Sequence, residues 1–577
     1  MSSTLKTYDI AIVIDFGTTA SGFKILNLNG LEPNPDYTYD YDSGSDSIFY
    51  HKYTPKDEKE PSTLQYRIFS NKYYHGREAD YQSVATSFFG NYASEIKLWI
   101  DGPAKKDLPE MPHNTTLLKL ISDYLRVIRK DAHKSTPKMF PTCTDSSRYR
   151  YCMAAPTMWS EKSKNIMREA AIIAGFITKY DKPERLLIID EVVAAALYAE
   201  HMSPGIILTN GSLYMVCDAG GGTVDLATFE KDDSPGMNGL KEVTVGAGSS
   251  CGSVYLDFRF KGVLQGQGKA IHAQDYKIAA FGDYLKPYFD ITDAMKECPM
   301  LNSPKTTYDS VDFGSNTFDG IPLDEIRINV FDPVVNQVLE MMKKQFAQIG
   351  DRNVDAMFIT GGFGRSPYLQ RRIKDTFGDR INEFKVIGNG HMAVIEGAAL
   401  FCASPRPIAQ RILRRTYGIK ICSPDDRSKK DTESEKDKFH VYIRKGEPVK
   451  EDTWVTKSMI WKHNTLPIIS LYTYDDNDDD QIPEFPTAKD IELVAIFNTR
   501  FKLDAKKDNP ETMIMKIRFG LDKIEVKVEI ADRNFEYITV WDISGEKNTR
   551  LYSEPNPPFS VIMKKMFLIE WMAEYFL

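Results

Sequence analysis

Ile10-Ala-Ile-Val-Ile-Asp15-Phe-Gly17-Thr18-Thr19, running into Gly22-Phe-Lys-Ile-Leu26, decides how this 577-residue chain is read. It is an apolar strand with an acidic residue at its end, a Gly/Thr turn and a return strand. The device recurs roughly two hundred residues later, where Leu213-Tyr-Met-Val-Cys-Asp218-Ala-Gly220-Gly221-Gly222-Thr223-Val-Asp225 runs into Leu226-Ala-Thr-Phe229. Successive backbone N–H groups in such a turn form a concave nest for phosphate oxygens. Threonine hydroxyls add donors, and glycine leaves room for close approach. An aspartate entering the turn repels a phosphate directly, yet it can hold Mg²⁺ through waters, and that ion commonly bridges carboxylates and phosphates. Either hairpin alone passes for an ordinary glycine-rich turn. Both together, at corresponding places in two α/β halves, predict two pseudo-equivalent lobes gripping one polyphosphate, with Asp15 and Asp218 facing the metal.

A third glycine cluster, Met357-Phe-Ile-Thr-Gly361-Gly362-Phe363-Gly364-Arg365, lies between an apolar strand and a helix opened by Ser366-Pro367. A strand–Gly-Gly–helix junction places backbone and a helix N-terminus beside a ligand, and the planar guanidinium of Arg365 suits stacking on a base.

With these three clusters the sequence resembles the actin, sugar-kinase and heat-shock ATPase superfamily, most closely the heat-shock protein 70 family, over about residues 8–403. The resemblance implies an α/β, two-lobed actin-like ATPase with duplicated ribonuclease H-like lobes, binding ATP or ADP with Mg²⁺. It makes Asp15–Thr19 and Asp218–Asp225 the phosphate loops, with Gly17, Thr18, Thr19, Gly220, Gly221, Gly222 and Thr223 on the phosphates. Gly361, Gly362, Phe363 and Arg365 become the adenosine loop. Asp190-Glu191-Val192-Val193-Ala194-Ala195-Ala196 is similar to the family's Asn-Glu-Pro-x-Ala-Ala-Ala and carries the catalytic glutamate onto Glu191, with Val192 where the family has proline. Glu396-Gly397-Ala398-Ala399 resembles the second connecting segment, and Ser94-Glu-Ile-Lys97-Leu-Trp the segment supplying a phosphate-contacting lysine. Asp283-Tyr-Leu-Lys286 has the spacing of the pair that contacts ribose and base, with Asp in place of Glu. On this reading Lys97 and Mg²⁺ offset phosphate charge, and Glu191 or Asp218 orients the attacking water.

Lys and Arg total 73 against 81 Asp and Glu, a net charge of −8 that gives no electrostatic reason to expect nucleic acid or an anionic membrane. The first ten residues hold no signal-peptide core, and no run of apolar residues is long enough to span a membrane. Seven scattered cysteines without a C-x-x-C pair point to neither a disulfide framework nor a zinc site, and a reducing cytoplasm or nucleus fits. Gly248-Ser-Ser250-Cys-Gly252 satisfies the Gly-x-Ser-x-Gly elbow spacing of hydrolases. Such an enzyme needs a later acid and histidine, and the spacing recommends neither His272 nor His391.

Strands and helices alternate to about residue 400, after which short strands and charged separators take over. The expected division is a nucleotide-binding domain over 1–405, with lobe I about 1–205, lobe II about 206–385 and a return at 386–405. A linker follows at 406–418, then a β-rich domain at 419–545 and a short tail, a helix candidate, at 546–577. Helices are expected over Glu161–Phe176 after Ser160, from an Asp332 N-cap with Pro333 first, and from Ser366-Pro367 to Gly378. Strands are expected at Phe439–Arg444, Trp454–Trp461, Ile468–Tyr474, Ile491–Phe497, Met513–Phe519, Ile524–Ile530 and Tyr537–Trp541. Arg411, Arg414 and Arg415 read as a solvated or inter-domain face before a recognition patch. The acidic run Asp475–Asp480 lacks the ordering of a calcium loop.

The segment after 405 carries neither the acidic, leucine-rich linker nor room for the long helical lid of standard heat-shock chaperones, which points to the family's divergent member 12-like branch. Three functions are open: an ATP-hydrolysing, chaperone-like switch whose β-domain grips a peptide or protein client, a nucleotide-binding scaffold or sensor with little turnover, and a small-metabolite kinase.

Overall fold

The computed structural model describes residues 8–30, 96–101, 115–232, 239–266, 277–290, 317–403, 409–422, 440–450, 453–461, 468–474, 491–497, 511–520 and 524–530. Short strands are also described at 48–49, 60–61, 64–66, 73–75, 92–93, 533–538 and 550–553. The chain divides into two compact units, Met1–Ile412 and Leu413–Leu577.

In the first unit, strand β1 (Ile10–Asp15) is buried along its whole length and lies between β2 (Ala20–Asn27), antiparallel, and β3 (Tyr149–Ala155), parallel; β4 (Leu186–Asp190) continues in parallel beyond β3. A second sheet is built in the same order. Its central strand β5 (Leu213–Ala219), again wholly buried, pairs antiparallel with β6 (Val224–Asp232), which carries β7 (Gly239–Glu242) and β8 (Ala247–Ser249). On the other side of β5 lie β9 (Val354–Thr360) and β10 (Ile381–Val386), both parallel. Unbroken apolar runs such as IAIVI and LYMVC suit strands covered on both faces. The two hairpins set their acids at matching points, since Asp15 is the register partner of Gly22 and Asp218 that of Asp225.

Helix α1 (Leu117–Met139) is capped by Thr116, and α2 (Glu161–Ala174) by Ser160; α2 stops at Gly175, whose φ of 87° is the left-handed conformation that ends a helix cheaply in glycine. Helix α3 (Glu191–His201) is buried from Glu191 through Ala199. Its apolar run Val192–Ala199 leaves no polar face for water and must be covered on every side. It touches β3 and β4 of the first sheet, β5, β6 and β9 of the second, and α7 (Ala393–Ala403). Where α3 and α7 meet, a Cβ on Gly397 would collide with the carbonyl of Ala194. The core of the second sheet, on which α4 (Val254–Gly266) packs, is rich in phenylalanine, with Phe260 stacked on Phe281 at 4.3 Å and Phe289 on Phe331 at 3.9 Å.

One expected helix start is corrected. Asp332 is not an N-cap, because α5 (Asp332–Gln348) continues from helical residues Leu323–Ile326 through a π-helical stretch Arg327–Phe331. Proline lacks the N–H for an interior bond, and the wider π turn absorbs it. The Asp332 carboxylate instead accepts from Arg327 at 2.8 Å, from Arg372 at 2.6 Å and from Tyr368. Helix α6 (Pro367–Phe377) starts at Ser366 and closes at Gly378 as expected.

The second unit holds two antiparallel sheets around one core. A four-stranded sheet runs β12 (His440–Ile443), β11 (Thr416–Cys422), β14 (Ile468–Tyr474), β15 (Ile491–Phe497). A five-stranded sheet runs β13 (Val455–Trp461), β16 (Glu511–Phe519), β17 (Ile524–Ile530), β18 (Arg533–Ile538), β19 (Arg550–Ser553). Met513, Met515 and Ile517 alternate with half-buried residues, as do Val526 and Val528, the period of two of a sheet wet on one side. Tyr417, Ile469 and Leu471 supply the facing layer. Strand β11 begins at Thr416, inside the stretch read as linker, and the last expected strand lies earlier, at Arg533–Ile538. Strand β19 (Arg550–Ser553) falls inside the stretch read as a tail and helix candidate; the rest of that tail, the acidic run at 475–480 and His272 lie outside the described residues. No helix among the described residues is long and apolar enough to cross a membrane.

Candidate functional site

The two acid-ended turns meet. A Cβ on Gly221 would lie 2.6 Å from Thr19 Cγ2, and one on Gly222 would collide with Thr18 Oγ1 and sit 2.8 Å from Leu98 Cδ2. Gly220 is roomier, its nearest obstacle being Thr223 O at 3.2 Å. The carbonyls of the second turn are tied to the start of α4: Gly252 N–H donates to Gly222 O at 3.0 Å, Val254 N–H to Gly221 O at 2.9 Å and Ser253 N–H to Gly220 O at 3.2 Å. Among the described residues, Gly221 and Gly222 spend no N–H on a backbone carbonyl. That polarity, carbonyls engaged behind and N–H groups unspent in front, is what a phosphate nest requires. The elbow-like Gly248–Gly252 segment is therefore a brace. Gly248 pairs in register with Asp225, and Gly252 backs onto Gly221 so closely that a Cβ would collide.

The third glycine cluster abuts the second turn. Gly361, at φ 81°, leaves no room for a Cβ against Ala219 O, and its N–H donates to Gly390 O at 2.9 Å. Gly362 and Arg365 are exposed. Phe363 is a correction: its ring belongs to the apolar core of the second sheet, which leaves only its backbone for a ligand.

Lys97 and Glu191, 94 residues apart, form a buried ion pair, each 4 % exposed. Lys97 is thus no surface lysine, and its Nζ lies 5.9 Å from the Trp159 ring centre. Glu191 is the first residue of α3, and Asp15, Asp218 and Asp225 are buried as well. Burial opposes the charge on Lys97, but Glu191, Asp15 and Asp225 more than offset it and hold its pKa above the ordinary value. Burial pushes Glu191 up to about 7 against the pull of Lys97, with Asp225 and Asp15 adding to the rise. Burial and then the Asp218 charge push Asp225 up to about 6, although Thr157 N–H donates to its Oδ1 at 2.7 Å. One cation among four buried acids leaves an excess of negative charge, which favours proton uptake or a cation.

Asp225 Oδ2 has no hydrogen-bond partner among the described residues. No group of three His, Cys, Asp or Glu side chains there is gathered closely enough to ligate a metal ion directly. The donor set suits a hydrated ion held through water.

The expected sugar-contacting pair is only partly assembled. Asp283 is exposed on a π-helical turn, Phe281–Leu285, while Lys286 pairs with Asp257 of α4 at 2.7 Å. Glu396 of α7 accepts from Lys24 of β2 at 2.8 Å. Arg411, read as part of a solvated or inter-domain face, is buried: it reaches Asp190 at 3.3 Å, and Lys164 takes the same carboxylate at 3.1 Å. Sequence reasoning did not single out Asp257, Thr157 or Thr360, and took Asp225 only as the end of its turn motif. Asp225 was visible as the last acid of its turn motif, whereas Asp257 and Thr157 carry no local signal.

No family model matches the chain. Over 500 residues it is 21 % identical to heat shock 70 kDa protein 12B of Homo sapiens, covering 72 % of this chain and 71 % of that one. Heat shock 70 kDa protein 12A of Mus musculus is 22 % identical over 499 residues, covering 72 % of each. By sequence the chain resembles the heat-shock protein 70 family. The likeness is to the divergent member 12-like branch, and the chaperone protein DnaK of Thermotoga neapolitana is 26 % identical over 333 residues, 53 % of this chain. Similarity to the heat-shock protein 70 family implies the two-lobed, actin-like ATPase fold, in keeping with the mixed α/β first unit.

Proposed function

We propose that this protein binds Mg·ATP between duplicated ribonuclease H-like lobes, hydrolyses it slowly, and acts as a chaperone-like switch whose nucleotide state controls the β-rich C-terminal domain. The observation that carries the reading is the interlock of the two acid-ended turns, Thr18 on Gly222 and Thr19 on Gly221, beside Lys97, Glu191 and Asp225. Asp15 and Asp218 would hold Mg²⁺ through waters, and Gly361, Gly362 and Arg365 would take the nucleoside. Bound Mg²⁺ supplies charge neutralisation at the phosphate oxygens.

The chain's own residues do the rest. Unspent N–H groups at Gly221 and Gly222 and the hydroxyls of Thr18 and Thr223 donate to phosphate oxygens. Lys97 is paired with Glu191, and a phosphate arriving beside it would compete for its ammonium and free the Glu191 carboxylate to orient a water. Displacement of that pair couples ligand binding to α3, which touches both sheets of the first unit.

The same ion pair favours a second reading, a nucleotide-binding scaffold with little turnover: both groups meant for phosphate and water are engaged with each other. Calorimetry of the full chain with ATP, with Mg²⁺ and in chelator, tests the first claim. Absence of heat in both conditions would sink it. Single-turnover hydrolysis separates switch from scaffold, and a peptide-binding assay with and without ATP tests control of the β-domain.

A further inference from the structure

Thr360 closes β9, and its register partner across the parallel pairing is Asp218. The threonine is 1 % exposed, and its hydroxyl lies 2.9 Å from Asp218 Oδ1, against 3.5 Å from the alternative acceptor, the Cys217 carbonyl. An ionised carboxylate only accepts, so the hydroxyl donates to Asp218. The β-branched side chain has little rotational freedom of its own. The backbone beyond it is equally fixed: Gly361 donates to Gly390 O at 2.9 Å and fits against Ala219 O only because it has no side chain.

We infer that Thr360 is a positioning residue for the acid of the second phosphate turn. By holding Oδ1 it sets the rotation of the Asp218 carboxylate about its Cβ–Cγ bond, and with it the direction of the second oxygen toward the turn. The inference rests on the Mg·ATP reading above and deepens it, because a carboxylate that grips a hydrated ion through water must present its oxygen in one direction. A strand residue placed beside the acid does this without entering the site.

The test uses the full chain with ATP as ligand, titrating Mg²⁺ at fixed nucleotide and measuring ATP binding separately in chelator. Thr360→Val keeps the shape and removes the donor. It should raise the Mg²⁺ midpoint about tenfold, the scale of one lost charge-assisted hydrogen bond, with ATP affinity in chelator unchanged. Thr360→Ser should restore the midpoint. Thr360→Ala, which makes no demand on space, should move it as valine does, so the inference does not depend on one variant folding. A midpoint unmoved by the valine and alanine variants overturns the positioning role and leaves nucleotide binding standing. A wild-type chain that binds no ATP in either condition overturns both.

Discussion

Substituting alanine in turn at Gly220, Gly221 and Gly222 should weaken Mg·ATP binding in an order fixed by what each new methyl would meet. At Gly220 the nearest atom is Thr223 O at 3.2 Å, a contact relieved by a shift of a few tenths of an ångström. At Gly221 the methyl would lie 2.6 Å from Thr19 Cγ2 and 2.7 Å from its Oγ1, on a β-branched side chain with little room to turn. At Gly222 it would collide with Thr18 Oγ1 and crowd Leu98 Cδ2 at 2.8 Å, so two neighbours must yield. Overpacking of this kind costs about 1–3 kcal/mol. Here it is relieved by spreading the two turns, and the geometry that lets both reach one phosphate chain is lost. The expected loss of affinity is below about threefold for Gly220→Ala, about tenfold for Gly221→Ala and up to about a hundredfold for Gly222→Ala, converting that cost at roughly 1.4 kcal/mol per decade. Titration calorimetry reads the affinities, and thermal melts of the ligand-free variants confirm that each folds. Equal losses at Gly220 and Gly222, or a folded Gly222→Ala chain with wild-type affinity, would refute the interlock as the basis of the site.

Two further measurements address the frame around the site. The raised Asp225 and Glu191 favour protonation in the folded chain, so the ligand-free protein should lose stability from this source as pH rises from the ordinary carboxylate range through about 6 to 7. His133 works oppositely: burial, then Arg129 and Arg185, hold its pKa down to about 4, so stability falls as pH drops from its ordinary value of 6.5 toward 4. Urea midpoints should therefore gain at neutral pH in Asp225→Asn and gain at low pH in His133→Phe; a slope unchanged in both variants contradicts the assignment. Gly397→Val should cost about 3 kcal/mol, the top of the overpacking range, because the obstacle is the Ala194 backbone, while exposed Gly262→Ala, with no neighbour within 4 Å, should gain about 0.5–1 kcal/mol from helix propensity alone. Denaturant titrations that fail to rank these two changes oppositely would overturn the close crossing of α3 and α7.

The acid-ended turns were legible because glycine, threonine and aspartate there each answer a steric or electrostatic demand local to the turn. Ser160 and Gly175 marked the ends of α2, and Ser366 the start of α6, for the same reason. Asp332-Pro333 misled because a π-helical stretch, which no local pattern announces, carries the helix past the proline. Phe363 misled because a strand-to-helix turn gives no periodicity by which to tell inward from outward residues. Lys97 with Glu191, and Lys286 with Asp257, meet only through tertiary packing. Resemblance to a known family pointed to Lys97, Glu191 and Lys286, whereas Asp257 was invisible before the fold.

The stretch Ala409–Ile412 has a consequence for where the first unit can be cut. Ala409 N–H donates to Leu240 O at 2.9 Å, Gln410 O accepts from Glu242 N–H at 2.9 Å, and Ile412 N–H donates to the buried Glu242 carboxylate at 3.0 Å. These residues thus hem the outer strand of the second sheet, β7, while Arg411 neutralises the buried Asp190. A fragment stopped at the last turn of α7 would keep every glycine turn of the site yet present a raw sheet edge, a template for aggregation, and an acid short of one of its two cations. The natural hem of the first unit is Ile412.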